Sequence, residues 1–139
     1  MTTHALPRAA VRPSIRISTA LAYWVPTVLV GLSSIAGGIY DALRPEAALA
    51  VFHHLGYPDY FATLLGTAKL LGGLAILLPV PRMLREWAYA GLTFDVLSAL
   101  ISLLAVGHAI TELPIPIFVL ALVQTSYWTW RRRQRDVAG

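Results

Sequence analysis

The chain has 139 residues, of which 57% are hydrophobic and only 13% are charged. A typical soluble domain is about 45–50% apolar and about 25% charged, so this composition excludes an ordinary water-soluble domain and indicates an integral membrane protein. The absence of cysteine excludes disulfides, CxxC redox centres and thiolate metal sites. The net charge of +4 lies in basic residues that flank apolar segments, which favours contact with a lipid bilayer over nucleic acid.

Four apolar segments follow one another, and each is long enough to cross a hydrocarbon layer about 30 Å thick. The predicted spans are residues 19–43, 60–78, 87–107 and 113–130. The first apolar run is too long for the core of a signal peptide, which has about 7–15 residues, so we interpret it as an uncleaved helix. The fold class predicted for the single domain, residues 1–139, is therefore all-α: an integral membrane four-helix bundle.

A short helix is predicted between the first two spans. Pro45 and Glu46 suit the start of a helix, and Gly56 suits its end. The apolar residues of this segment fall on one helical face: Ala48, Val51, Phe52 and Leu55. We expect this helix to lie at the membrane surface.

The distribution of arginine predicts that both termini are cytoplasmic. If they are, the cytoplasmic side carries nine arginines and the outer side only Arg44, which is a clear positive-inside bias. The cytoplasmic set is Arg8, Arg12, Arg16, Arg82, Arg85, Arg131, Arg132, Arg133 and Arg135. All four tryptophans fall at the same predicted interface, so two signals agree.

The two long apolar segments around Arg82 contain one lysine and one aspartate at matching positions. Lys69 lies thirteen residues before Arg82, and Asp95 lies thirteen residues after it. In an antiparallel helical hairpin the two side chains reach the same depth, roughly 15–20 Å from one surface at about 1.5 Å per residue. We therefore expect a buried Lys69–Asp95 ion pair, since an isolated charge at this depth is costly.

Small residues share the helical faces of both charges, which indicates faces that pack against other helices. On the second span these are Ala62, Gly66, Gly72, Gly73 and Ile76, and on the third Ala88, Gly91, Ser98, Ala99 and Ser102. A similar stripe on the first span holds Thr27, Gly31, Ser34, Gly38 and Asp41, and the fourth span has Gln124. The candidate ligand site predicted from these faces is Lys69, Asp95, Gln124, Ser98, Gly66 and Gly73.

Two interpretations of the Lys69–Asp95 pair stay open, beside the alternative that Asp95 pairs with another residue. It either fixes the register of the helices, or it carries a proton or anchors a ligand in a cavity. No catalytic residue is predicted, because no Ser-His-Asp order, phosphate loop or HExxH motif is present. No metal site is predicted either, since the adjacent His53 and His54 of a helix would point about 100° apart; with His108 they are assigned to the wet outer surface.

Three sequence blocks resemble the DoxX-like family of small bacterial membrane proteins. They are His54-Leu55-Gly56-Tyr57-Pro58-Asp59-Tyr60-Phe61, then Gly66-Thr67-Ala68-Lys69-Leu70-Leu71-Gly72, then Glu86-Trp87-Ala88-Tyr89-Ala90-Gly91 with Phe94-Asp95. The resemblance implies a four-helix bundle in the bacterial cytoplasmic membrane and places Lys69, Gly72, Glu86, Trp87 and Gly91 on family positions. Many relatives have a histidine where this chain has Ser102-Leu103-Leu104, so chemistry that needs this histidine is not expected here.

The resemblance leaves three functions open. Relatives are linked to quinone-coupled sulfur oxidation, to oxidative-stress complexes and to membrane-protein assembly. The first hypothesis is a non-catalytic accessory subunit that binds partner helices, a second copy of itself or a small apolar ligand. The second is a quinone-linked redox component in which Lys69 or Asp95 donates a proton. The third is a small ion-coupled transporter.

Overall fold

The structure, a computed structural model, describes residues 14–107 and 110–138, and these residues form helices and short connections with no strand. The α-helices are α1 (Ser14–Leu43), α2 (Glu46–His54), α3 (Asp59–Leu77), α4 (Arg82–Ala105) and α5 (Pro114–Ala138), with a short 3₁₀ turn at Ile110–Glu112. The predicted all-α class is confirmed. The assignments of Arg8, Arg12 and His108 fall outside the described residues.

Three helices are long and apolar enough to cross a membrane: Ala20–Leu43 within α1, Asp59–Leu77 and Arg82–Ala105. They support the predicted membrane location and contact with a lipid bilayer. The fourth predicted span, residues 113–130, lies in α5, and this helix is not apolar enough to be counted with the other three. Its second half carries Gln124 and a run of hydroxyl and aromatic residues that leads into arginines, and these lower its mean hydropathy.

The helix boundaries follow the local sequence. Pro45 precedes α2 and Glu46 lies in its first turn, while Gly56, with a φ of +82°, ends the segment in the left-handed region that glycine tolerates. The helix α4 begins at Arg82, five residues before the predicted span, and α5 continues through the arginines to Ala138. Both helices thus run past their apolar segments, since arginine and glutamate are good helix formers.

The helices α1 and α3 pack with their backbones in contact. A Cβ placed on Gly66 would lie 2.5 Å from the backbone nitrogen of Ala42 and 2.6 Å from the backbone oxygen of Gly38. At the other end of this contact, a Cβ on Gly73 would lie 2.8 Å from the oxygen of Gly31. Gly66 thus lies beside Gly38 and the later Gly73 lies beside the earlier Gly31, so the two helices run antiparallel. Glycine is required here because any side chain would separate them.

The four long helices pack in a cyclic order. The helix α1 contacts α3 and α5, α4 contacts the same two helices, and α2 packs on α3. The main cluster of buried apolar residues is Tyr23, Val30, Ile76, Tyr89, Leu92, Val123 and Trp130.

Large apolar side chains lie exposed along the outer faces of the same helices. Examples are Leu21, Leu29, Leu64, Phe94, Ile101 and Phe118, all more than half exposed. Soluble monomers rarely expose apolar surface on this scale. The outer faces are therefore covered by lipid.

Candidate functional site

A cavity of about 740 Å³ lies between α2, α3, α4 and the end of α1. Ligand pockets commonly have about 300–1,000 Å³, so this cavity has the size of a small-molecule site. Aromatic side chains line much of it: Tyr40, Phe52, Tyr57, Phe61, Trp87 and Phe94. Trp87 and Phe94 are each 70% exposed, so the cavity opens sideways along α4.

One wall of the cavity carries three charged side chains. The Nζ atom of Lys69 donates a hydrogen bond to Oδ2 of Asp41 at 3.0 Å and lies 3.6 Å from Oδ2 of Asp95. The three side chains are 24%, 13% and 15% exposed, in the order Lys69, Asp41 and Asp95. One ammonium group is therefore shared by two carboxyl groups at the edge of an apolar cavity.

The helix contacts explain how these charges meet. The glycine contact between α1 and α3 brings the end of α1, with Asp41, next to the α3 turn that carries Lys69. The loop at residues 78–81 folds α4 back along α3 and brings Asp95 to the same level. Two independent packing contacts thus place the carboxyl groups on either side of the lysine.

This arrangement differs from the expected buried Lys69–Asp95 pair. The charges are partly exposed at a cavity, and the shorter contact of the lysine is to Asp41 rather than to Asp95. The physical reason lies in α4. Its small residues face the cavity instead of another helix, and a Cβ on Gly91 would meet no atom within 4 Å.

The helix α2 and the segment after it cover one end of the cavity. The hydroxyl groups of Tyr57 and Ser102 share a hydrogen bond of 2.7 Å, which ties this segment to α4. Tyr57 also stacks on Phe61, with 4.6 Å between ring centroids. The Nε2 atom of His53 is in hydrogen-bond contact with Oδ1 of Asp59, which joins α2 to the first turn of α3.

The predicted site residues divide between the cavity and the helix contacts. Lys69, Asp95 and Ser98 line the cavity. Gly66 and Gly73 lie instead in the contact between α3 and α1. Of the predicted family positions, Gly72, Trp87 and Gly91 line the cavity, whereas Glu86 pairs with Arg82 at 3.0 Å near the start of α4.

Gln124 takes part in a different set of contacts, away from the cavity lining. Its Nε2 atom donates a hydrogen bond to Oγ1 of Thr93 at 3.1 Å, which joins α5 to α4. Nearby, Ser126 lies 3.1 Å from the Thr27 hydroxyl and 2.7 Å from the Tyr89 hydroxyl. This chain of hydroxyl groups connects α1, α4 and α5 and satisfies polar atoms inside the apolar cluster.

Asp41 and Tyr57 are the site residues that the sequence analysis did not select. Asp41 does belong to the predicted small-residue stripe on the first span. The sequence therefore indicated that Asp41 faces other helices, but not that it binds Lys69. The contact between Tyr57 and Ser102 has no sequence signal, because the two residues are 45 positions apart and belong to different elements. Within the described residues, no group of three or more histidine, cysteine, aspartate or glutamate side chains could hold a metal ion.

Comparison with known proteins identifies a family for most of the chain. The model of the DoxX-like family matches residues 25–126. This range includes α2, α3 and α4 and the three charged residues of the cavity wall. No curated protein and no solved structure matches the chain.

Proposed function

The chain belongs to the DoxX-like family, and we propose that it is a binding subunit of the membrane that holds a small, largely apolar ligand in the cavity between α2, α3 and α4. The observation that carries this proposal is the cavity of about 740 Å³ with Lys69, Asp41 and Asp95 on its wall. Its residues suit binding better than catalysis, because the described lining of the cavity holds no nucleophile paired with a base.

The ligand has an apolar body and one polar group. Aromatic and aliphatic side chains make up most of the lining and favour a flat or branched hydrocarbon framework. The polar group reaches the charged wall, where the ammonium of Lys69 donates hydrogen bonds and the carboxyl groups of Asp41 and Asp95 accept them.

The proposed membrane arrangement has four spans, with α5 as the fourth and both termini in the cytoplasm. The cyclic packing of α1, α3, α4 and α5 supports a fourth span, since α5 contacts both α1 and α4, which are apolar enough to cross a membrane. The arginines near the start of α4 and the end of α5 support a cytoplasmic position for that end. The membrane is then the bacterial cytoplasmic membrane.

Filling the cavity tests the proposal with a matched pair of variants. A Cβ on Gly91, which lines the cavity, and one on Gly37, which lies on α1, would each meet no atom within 4 Å. Gly91→Leu therefore fills cavity space, whereas Gly37→Leu adds the same side chain elsewhere. Native mass spectrometry from mild detergent should detect a bound small molecule on the wild type and on Gly37→Leu, and at least about tenfold less on Gly91→Leu. Equal occupancy of the two variants would contradict the proposal.

A quinone-linked redox component is the second candidate function. The sideways opening of the cavity beside Lys69 favours it, because a ring dissolved in lipid could enter there and place a carbonyl oxygen near the ammonium group. A bound quinone would supply the electron chemistry, while Lys69 and the two carboxyl groups hold protons and orient the ring. Reconstitution with a short-chain ubiquinone tests this second candidate. A ubiquinone that stays bound to the wild type during purification and is lost from Gly91→Leu supports the quinone-linked function.

A further inference from the structure

A second, smaller recess lies at the end of the molecule where α4 begins and α5 approaches its own end. This crevice has a volume of about 360 Å³ and lies between α1, the loop after α3, α4 and α5. Its polar lining comes from Tyr23, Arg85, Trp130, Arg133 and Gln134. The described residues that line it include no carboxyl group, in contrast to the cavity at Lys69.

Two guanidinium groups in the crevice have no ion-pair partner among the described residues. Arg85 donates hydrogen bonds to the Leu78 carbonyl at 2.5 Å and to the Tyr23 hydroxyl at 3.4 Å, so neutral groups hold it in place. The guanidinium of Arg133 lies over the Tyr23 ring at 4.9 Å. The neighbouring acid Glu86 is paired with Arg82 instead. The positive charge of the crevice is therefore uncompensated.

Two buried hydrogen-bond donors in the same crevice also have no partner in the part of the chain that the structure describes. They are Nε of Arg85 and Nε1 of Trp130, and Trp130 is only 2% exposed. A buried donor without an acceptor is destabilising. Guanidinium and indole N–H groups can only donate, so an acceptor-rich group satisfies both donors, and a negatively charged one also compensates the two guanidinium groups.

We propose that the crevice binds a phosphate group, carried either by an anionic phospholipid or by a soluble phosphate compound. Phosphate oxygens accept the charge-assisted hydrogen bonds that arginine forms most strongly. Trp24, which lines the crevice and is 48% exposed, belongs to the residue type enriched at the level of lipid headgroups. This site is separate from the cavity at Lys69, so its test is independent of the proposed function.

The test compares two arginines that are neighbours in sequence. Arg133→Gln removes one guanidinium of the crevice, and Arg132→Gln removes the same charge from an exposed residue that does not line it. The full chain in mild detergent is titrated with phosphatidylglycerol, phosphatidylcholine or inorganic phosphate and examined by native mass spectrometry. We expect one retained phosphatidylglycerol on the wild type and on Arg132→Gln, and at least about tenfold weaker binding to Arg133→Gln.

The three titrations identify the source of the phosphate group. Displacement of the retained phosphatidylglycerol only by other anionic lipids assigns the crevice to a lipid headgroup, and displacement by millimolar inorganic phosphate assigns it to a soluble compound. A shift of the Trp130 indole N–H resonance on binding, assigned with Trp130→Phe, reports the local contact directly. Equal weakening in Arg132→Gln and Arg133→Gln, or no preference for phosphatidylglycerol or phosphate in any titration, would overturn the proposal.

Discussion

At the scale of single residues, Lys69 is the centre of the charged wall. Its ammonium group lies near two carboxyl groups, 3.0 Å from Asp41 and 3.6 Å from Asp95. Removing it leaves both carboxyl groups partly buried without a cation, whereas removing either aspartate leaves the lysine with a partner. The loss of stability should therefore be unequal among the three residues.

Replacement of the charged residues should reveal this order. We expect Lys69→Met to lower the free energy of unfolding by about 1–3 kcal/mol, between the values for exposed and buried pairs, and Asp41→Asn or Asp95→Asn to lower it less. Unfolding of the purified protein in detergent measures the effect. Double-mutant cycles should give a larger coupling for Asp41 with Lys69 than for Asp95 with Lys69. Additive losses in both cycles would contradict direct contact.

The hydrogen bond between the hydroxyl groups of Tyr57 and Ser102 leads to a second prediction at the scale of single residues. Tyr57→Phe removes the hydrogen bond to Ser102 while it keeps the stacked ring on Phe61. The segment after α2 should then exchange its backbone amides faster, by an amount that corresponds to about 0.5–1.5 kcal/mol. Hydrogen exchange measured by mass spectrometry on residues 46–58 checks this. Ser102→Ala should have the same effect, and a difference between the two would show that another contact holds the segment.

At the scale of whole elements, the pairing of α1 with α3 depends on three glycines more than on any apolar side chain. At Gly38, Gly66 and Gly73 a Cβ would lie within 2.8 Å of backbone atoms of the opposite helix. A backbone atom cannot move aside as the end of a flexible side chain can. The distance between α1 and α3, and with it the position of Asp41 beside Lys69, is therefore set at these glycines.

Alanine substitutions separate this contact from the general effect of glycine in a helix. Gly66→Ala should lower the free energy of unfolding by about 1–3 kcal/mol, because the new methyl group forces α1 away from α3. Gly91→Ala is the matched control, since a Cβ there meets nothing within 4 Å; the higher helix propensity of alanine should leave its stability unchanged or raise it by up to about 1 kcal/mol. Thermal unfolding in detergent compares the two variants, and equal losses would contradict the close contact.

At the scale of the whole molecule, the membrane topology depends on α5. Three helices among the described residues, α1, α3 and α4, are long and apolar enough to cross the membrane. The helix α5 is less apolar but contacts both α1 and α4. A span that is shielded on one side by neighbouring helices can carry hydroxyl groups and Gln124 at the protected face, because these groups find partners there.

The absence of native cysteine makes this topology directly measurable. Single cysteines at Glu46, Thr111 and Asp136 would mark the connection after α1, the turn before α5 and the end of α5, and all three residues are exposed. With four spans, a membrane-impermeant maleimide added to intact cells should label positions 46 and 111 but not 136. Labelling of position 136 together with 111 would mean that α5 does not cross the membrane.

The sequence predicted the helices well because their signals are local. Apolar length, Pro45 before α2 and the positions of the arginines each depend on a few neighbouring residues. The depth match of Lys69 and Asp95 depends only on residue counts along an antiparallel hairpin, and the buried pair predicted from it was wrong, because the charges lie partly exposed at the cavity and the shorter contact of Lys69 is to Asp41. The role of Asp41 could not be derived in this way, because it follows from how closely Gly38 and Gly66 allow two helices to approach.

The cavity was also beyond the reach of the sequence pattern. Small residues such as Gly91, Ser98 and Ala99 indicate either a close helix contact or an empty space, and the pattern is the same in both cases. In α3, Gly66 and Gly73 contact α1, whereas in α4 the small residues line the cavity. The difference depends on where α2 and the aromatic residues after it lie, which is a property of the assembled fold.

The cavity opens sideways along α4, where Trp87 and Phe94 are exposed, and this opening determines how occupancy depends on lipid. A guest molecule that enters there arrives from the acyl chains, so the quantity that governs saturation is its mole fraction in the membrane. Diluting the vesicles with buffer should then leave occupancy unchanged, while diluting the protein with additional lipid at a fixed total amount of guest should lower it.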